Sequence, residues 1–156
     1  MQNITLTVVK ADVYEEIAKT TSFAGAKKIG EDVNAYERIF TTDEDRQMLE
    51  RFWHDACNAV TTQMREFLSD VSALGDSFYT DLQTNYELEL QMSDRFDNRL
   101  VNNIEKELFS FFVCFILSQW YSMTNVSDAE SQAKKAEGVM KNVMDKIYYT
   151  KPPVRN

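Results

Sequence analysis

The stretch from Leu108 to Tyr121 constrains the fold more than any other part of the chain. Its residues, about fourteen of them, are nearly all apolar and lie inside a longer segment patterned as an amphipathic helix. A helix needs roughly twenty residues to cross a bilayer, so this stretch is too short to do so. A helix that is apolar on most sides has to be covered by protein. The sequence therefore predicts a helix buried inside its own domain or against neighbouring subunits.

Length and composition indicate one mainly α-helical domain over residues 1–156, a compact bundle of helices with a minor β component. A chain of 156 residues is long enough to bury a real core. It contains only 4 glycines and 2 prolines, which implies few turns and long elements. The net charge of −8 disfavours nucleic-acid binding by the whole surface, because phosphates would be repelled.

The N-terminus and the cysteines favour a protein that folds in a reducing cytoplasm. The first ten residues show no basic region followed by a sustained apolar run, so we expect no signal peptide. Cys57 and Cys114 each lie in an apolar helical pattern. We expect both to be small buried hydrophobic residues, and a disulfide between them is poorly motivated.

In the first half of the chain, the pattern predicts one short and one long helix. The short helix begins near Asp12, and residues 20–40 after it look irregular. Thr42–Asp45 resembles a capping box, with acidic residues where the helix dipole favours them. A stripe of apolar residues at helical spacing follows, and it ends before a break at 70–81.

In the second half, the pattern predicts two more long helices. The first begins at Ser93 or Asp94, runs through the apolar stretch and stops at Asn125. A second capping box at Ser127–Glu130 begins the last helix, whose alanines allow close packing on its neighbour. The predicted core comprises Leu49, Phe52, Trp53, Val60, Ile104, Leu108, Phe112, Ile116 and Met140.

Two segments are predicted to form strands, over residues 3–9 and 86–92. The second alternates strictly, with apolar side chains on one face and polar side chains on the other. A strand needs a partner, which is either the first strand or a strand of another subunit. We therefore identify the apolar face of this strand as a candidate subunit interface, formed by Tyr86, Leu88, Leu90 and Met92.

Residues with catalytic or metal-binding potential do not form a recognisable motif. His54, the single histidine, lies four residues after Glu50 and three before Cys57, which is not the spacing of a di-metal helical bundle. Cys57 belongs to an apolar stripe and lacks the exposed, electropositive surroundings of a nucleophilic thiol. We therefore expect no catalytic residues, no metal, no cofactor and no enzymatic activity.

Residues 149–156 are predicted to form an extended C-terminal tail, because two consecutive prolines stop a helix and favour an extended chain. Two interpretations are open: a frayed terminus, or an arm that binds a neighbouring subunit. The candidate interface residues here are Tyr148, Tyr149, Lys151, Pro152, Pro153 and Arg155.

Two parts of the chain resemble small head–tail connector (adaptor or neck) proteins of tailed bacteriophages and prophages. The helix that begins with Thr42–Arg46 and continues through Phe52–Cys57 resembles their first long helix. An apolar helix ending at Ser118–Tyr121, a second helix with an acidic cap, and the ending Ile147–Arg155 are similar to their C-terminal half. The resemblance covers roughly residues 40–70 and 96–156.

The resemblance implies a non-enzymatic structural protein of the virion. Such proteins form homo-oligomeric rings, often of about twelve subunits, between the portal and the tail or other neck proteins. DNA passes nearby without specific binding, no membrane is involved, and assembly takes place in the bacterial host cytoplasm. The alternative is a host-side helical adaptor or regulatory protein that binds a protein partner.

Overall fold

The computed structural model describes residues 1–28, 30, 33–69 and 85–153. Over these ranges the protein is mainly helical, with a small antiparallel sheet of two strands. Short 3₁₀ turns precede or follow several of the helices. In chain order the elements are β1 (Gln2–Val9), α1 (Lys10–Lys28), α2 (Ala35–Ile39), α3 (Arg46–Gln63), β2 (Asn85–Met92), α4 (Val101–Thr124) and α5 (Val126–Tyr148).

Helix α4 forms the centre of the fold, as the apolar stretch predicts. It packs against α5, α3, α1 and β1, so it is covered on most of its sides. Near its C-terminal end, Trp120 donates a hydrogen bond from its indole N–H to the carbonyl oxygen of Ile39 in α2, at 2.6 Å. Among the described residues, no helix has the length and apolar character required to span a membrane.

The predicted core is confirmed in full. Each of the nine residues chosen from the pattern is buried, with Met140 the most exposed of them at 8%. Most of them face α4 from α3 and α5, or belong to α4 itself. Periodicity therefore identified the buried faces of these helices correctly, because burial of the apolar stripe is what stabilises each of them.

The two strands pair with each other in antiparallel fashion. Leu6 lies opposite Leu88 and Ile4 opposite Leu90, so the apolar faces of both strands lie on one side of the sheet. That side packs on α4 and forms part of the core. Of the two partners that the sequence left open for the second strand, the structure contains the first one.

The predicted N-terminal helix is present but is longer than expected, because α1 has 19 residues and extends well into the segment expected to be irregular. Gly25 does not mark a loop. A Cβ atom built there would lie 2.9 Å from the Cα of Tyr36, so glycine is what allows α1 and α2 to approach this closely. Thr21, buried in α1, accepts a hydrogen bond from the backbone N–H of Thr41 at 3.1 Å and fixes the end of this connection.

Helix α3 begins where the first capping box predicts. The backbone N–H of Thr42 donates to the carboxylate of Asp45 at 2.9 Å, and a 3₁₀ turn at Asp43–Asp45 leads into the helix. The predicted break at 70–81 lies outside the described residues.

The starts of α4 and α5 differ from the prediction. Asp97, not Ser93 or Asp94, caps the turn before α4 by accepting a hydrogen bond from the N–H of Arg99. For α5, the side chain of Asn125 donates to Asp128 at 2.6 Å, so the polar contact at the helix start lies two residues earlier than the predicted capping box. In both cases several adjacent Ser, Asp or Asn residues were suitable caps, and the local pattern does not distinguish between them.

Candidate interaction surface

Among the described residues, the most buried ion pair joins α1 to α3. The ammonium group of Lys10 contacts the carboxylate of Glu50, and the two side chains are only 10% and 18% exposed. The Lys10 nitrogen also lies 5.7 Å from the ring centre of Tyr14 and 6.0 Å from that of Trp53. Removing either partner would leave a charge without compensation in the interior. These contacts explain how the end of β1 is held against α3, and they give the pair a structural role.

Cys57 lies near this ion pair but does not have the properties of a nucleophile. Burial raises the pKa of its thiol to about 12, and the nearby Lys10 only partly opposes this effect. The thiol is therefore protonated at neutral pH, and a thiol in that state reacts slowly. Within the described ranges, no three His, Cys, Asp or Glu side chains are arranged to hold a metal ion.

The apolar face of β2 lies inside the subunit. The four candidate interface residues on it, Tyr86, Leu88, Leu90 and Met92, are each 2% exposed or less. Their side chains pack on the helices and cannot contact another subunit unless the core opens. Part of the outer edge of β2 is also covered, since the N–H of Ser69 donates to the carbonyl oxygen of Glu89 at 3.3 Å.

Among the described residues of the C-terminal segment, in contrast, Lys151 is the last that forms a hydrogen bond to the rest of its own subunit. The guanidinium of Arg95 donates two hydrogen bonds to the Lys151 carbonyl oxygen, at 2.7 and 3.0 Å. The N–H of Lys151 in turn donates to the Arg95 carbonyl oxygen at 2.8 Å. Beyond this Arg95–Lys151 contact, Pro152 and Pro153 are exposed. Arg155 lies outside the described residues.

Two tyrosines precede this contact and remain about half exposed. The ring of Tyr148 meets that of Phe67 edge to face, with centres 5.3 Å apart, and its hydroxyl donates to the carboxylate of Glu66 at 3.2 Å. Even so, the exposed fractions of Tyr148 and Tyr149 are 56% and 49%. Large amphipathic side chains that stay accessible in this way are typical of protein contact surfaces.

A groove lies between α3 and α5 and was not predicted. It has a volume of about 640 Å³, and α4 forms its floor. The rings of Phe111 and Phe115 lie on that floor, with centres 5.6 Å apart. Ala136 and Met140 of α5 contribute further apolar surface.

The rim of the groove is acidic. Asp55 on α3 and Glu137 on α5 are both exposed and line opposite walls. Neither forms an ion pair within the described part of the chain. The groove thus combines an aromatic floor with negative charge above it, which are the features that bind a chain carrying both apolar and cationic groups.

A sequence signal for the groove did exist. Phe111 and Phe115 are four residues apart, so they lie on the same face of a helix that is apolar on nearly every side. Periodicity could not show that this face lies at a groove, because the relative positions of α3 and α5 depend on tertiary packing.

Comparison of the chain with protein-family models, with curated protein sequences and with solved structures finds no significant match in any of the three.

Proposed function

We propose that this protein is a non-enzymatic structural subunit of a bacteriophage virion, a head–tail connector or neck protein that assembles as a ring between portal and tail. The proposal combines the resemblance of residues 40–70 and 96–156 to that class with the surface described above. Its partners are further copies of the same chain and the portal, tail or other neck proteins. It needs no cofactor, and DNA passes nearby without specific binding.

The observation that carries the proposal is the exposed C-terminal segment. Its base is fixed by the Arg95–Lys151 contact, while both prolines and about half the surface of each tyrosine remain exposed. A ring subunit needs a stable body and a segment that extends from it to a neighbour. The helical body around α4 and this segment fulfil those two requirements.

Electron microscopy of the purified full chain at high concentration tests the proposal. We expect closed rings of uniform diameter, since a head-to-tail contact that closes gives cyclic symmetry. Particles no larger than a monomer or dimer, with and without a co-expressed portal protein, would contradict it.

A second candidate function is that of a host-side helical adaptor or regulatory protein, and the groove between α3 and α5 favours it. A recess with an apolar floor and a polar rim is a common binding site for a segment of a partner protein. In that case the full chain would remain monomeric at high concentration, and removal of the C-terminal segment would not alter partner binding.

A further inference from the structure

We propose that the groove between α3 and α5 binds the C-terminal arm of a second copy of this chain, where the arm is defined as Pro152–Asn156. The inference rests on the proposed function, because it names the two surfaces through which copies of the subunit would meet. The groove has no described occupant from its own subunit, and the arm begins directly after Lys151, the last described residue of the C-terminal segment with a hydrogen bond to its own subunit.

The chemistry of the two surfaces is complementary. The arm contains Pro152, Pro153 and Arg155, and Lys151 immediately precedes it. Consecutive prolines preorganise an extended helix that binds to grooves lined by aromatic rings, at low entropic cost. Phe115 supplies such a ring, partly exposed on the floor of the groove, beside the Phe111 ring, which is 5% exposed.

The charges of the arm and of the groove are also complementary. The arm and its base carry two cationic side chains, Lys151 and Arg155, in a protein whose net charge is −8. The walls of the groove carry two carboxylates, at Asp55 and Glu137, that have no ionic partner in the described part of their own subunit. An arginine that follows prolines can therefore meet an acidic rim while the prolines cover the aromatic floor.

The geometry favours a second copy over the subunit's own groove. Pro152 and Pro153 are exposed, and neither lines the groove of the subunit to which they belong. The Arg95–Lys151 contact holds the base of the arm at the end of the molecule where α5 terminates.

A mixing experiment with two complementary variants tests this inference. The first variant ends at Lys151 and keeps the groove but lacks the arm. The second, Asp55→Lys/Glu137→Lys, keeps the arm but reverses the charge of the groove. We expect each variant alone to remain monomeric in sedimentation velocity, and an equimolar mixture to form a complex with one copy of each.

A matched control uses Glu16→Lys/Glu37→Lys, which makes the same change in net charge on exposed positions of α1 and α2 that do not line the groove. This control should associate as the unmodified chain does. Circular dichroism confirms that all variants fold.

A peptide of residues 149–156 provides a second measurement on the variant that ends at Lys151. We expect it to bind, and expect an Arg155→Glu version to bind at least about fivefold more weakly, a change typical of losing one accessible charge pair. The Arg155→Glu peptide should in turn bind the charge-reversed groove better than the unmodified peptide does.

Several results would overturn the inference. The first is a mixture of the two variants that stays monomeric. The second is equal binding of the peptide to the unmodified and to the charge-reversed groove. The third is a full chain that is monomeric and does not bind the peptide, which would mean that the arm occupies the groove of its own subunit. If the charge-reversed variant still forms rings, the inference fails while the proposed function stands. If arm and groove associate but the full chain never forms rings, the inference stands and the proposed function fails.

Discussion

The two ends of the α4–α5 hairpin are both closed by polar contacts, but the contacts at the turn are centred on a buried side chain, whereas those at the other end are exposed. At the turn, Asn125 is 5% exposed, and its amide oxygen accepts a hydrogen bond from the Lys28 ammonium at 2.6 Å. At the opposite end, the hydrogen bonds from Arg95 to Lys151 are exposed to solvent. Buried hydrogen bonds to charged groups stabilise a fold more than exposed ones, since water cannot replace them.

Because of this difference, we expect the turn end and the terminal end to have different roles. The turn end joins α1, α4 and α5 into one body, because Lys28 reaches across to both Asn125 and Ser127. The terminal end holds the base of the C-terminal arm in place but leaves tyrosine and proline surface exposed. We therefore expect changes at the turn to affect stability and changes at the terminal end to affect assembly.

The largest effect on stability is expected for Asn125→Ala. This change removes the buried acceptor of Lys28 and the donor to Asp128, and should lower the free energy of unfolding by about 2 kcal/mol. Chemical denaturation followed by circular dichroism measures it. Ser122→Ala is the control, since Ser122 is exposed and donates to the carbonyl oxygen of Gln119 within its own helix, so its loss should cost less than about 0.5 kcal/mol. If both variants lost the same free energy of unfolding, the buried contact would contribute no more to stability than the exposed one, which would contradict the comparison.

A smaller effect is expected for Arg95→Ala at the terminal end. The two hydrogen bonds from the guanidinium are lost, but the backbone bond from the Lys151 N–H remains. Because these groups are exposed, the free energy of unfolding should fall by less than about 1 kcal/mol. Arg51→Ala, another exposed arginine, serves as the control. A loss as large as that for Asn125→Ala would mean that the terminal end belongs to the stable body.

The smallest expected effect is a pH dependence of the free energy of unfolding that arises from Asp97, near the terminal end. Hydrogen bonds from the Arg99 side chain, and then from its backbone N–H, hold the pKa of Asp97 below its ordinary value. The unfolded chain therefore binds the proton more readily than the folded one. The stabilisation is present above about pH 4 and is lost as the pH falls through the folded-state pKa.

Comparison with the Asp97→Asn variant measures how much the ionisation of Asp97 contributes to stability. The difference in free energy of unfolding between the unmodified chain and the variant should shrink as the pH is lowered from 7 towards 2. A difference that is constant over this range would exclude ionisation of Asp97 as its source.

The sequence predicted the parts of the fold that depend on local periodicity. The apolar faces of α3, α4 and α5 and the alternation in β2 follow directly from residue spacing, and their burial is confirmed. The extent of α1 was missed because glycine usually interrupts a helix, whereas Gly25 allows a close approach of Tyr36 from α2. Such a contact depends on a residue far from the local pattern, which periodicity cannot reveal.

The candidate interface was only partly accessible to sequence reasoning. Tyr148, Tyr149, Lys151, Pro152 and Pro153 are exposed, and their contact with another subunit stays a prediction; a backbone hydrogen bond holds the segment at Lys151. The four apolar residues of β2 are buried within the subunit because the N-terminal strand supplies the partner that β2 needs. The groove required knowledge of how α3 and α5 lie on either side of α4.

Sedimentation equilibrium of the full chain and of a chain ending at Lys151 tests most directly whether the protein acts through contacts between its own copies. Both chains keep the Arg95–Lys151 contact, so their thermal unfolding should be the same within error. We predict that the average mass of the full chain rises with concentration towards that of a closed oligomer, while the shortened chain stays monomeric. Monomers in both cases, or the same oligomer in both, would contradict the account.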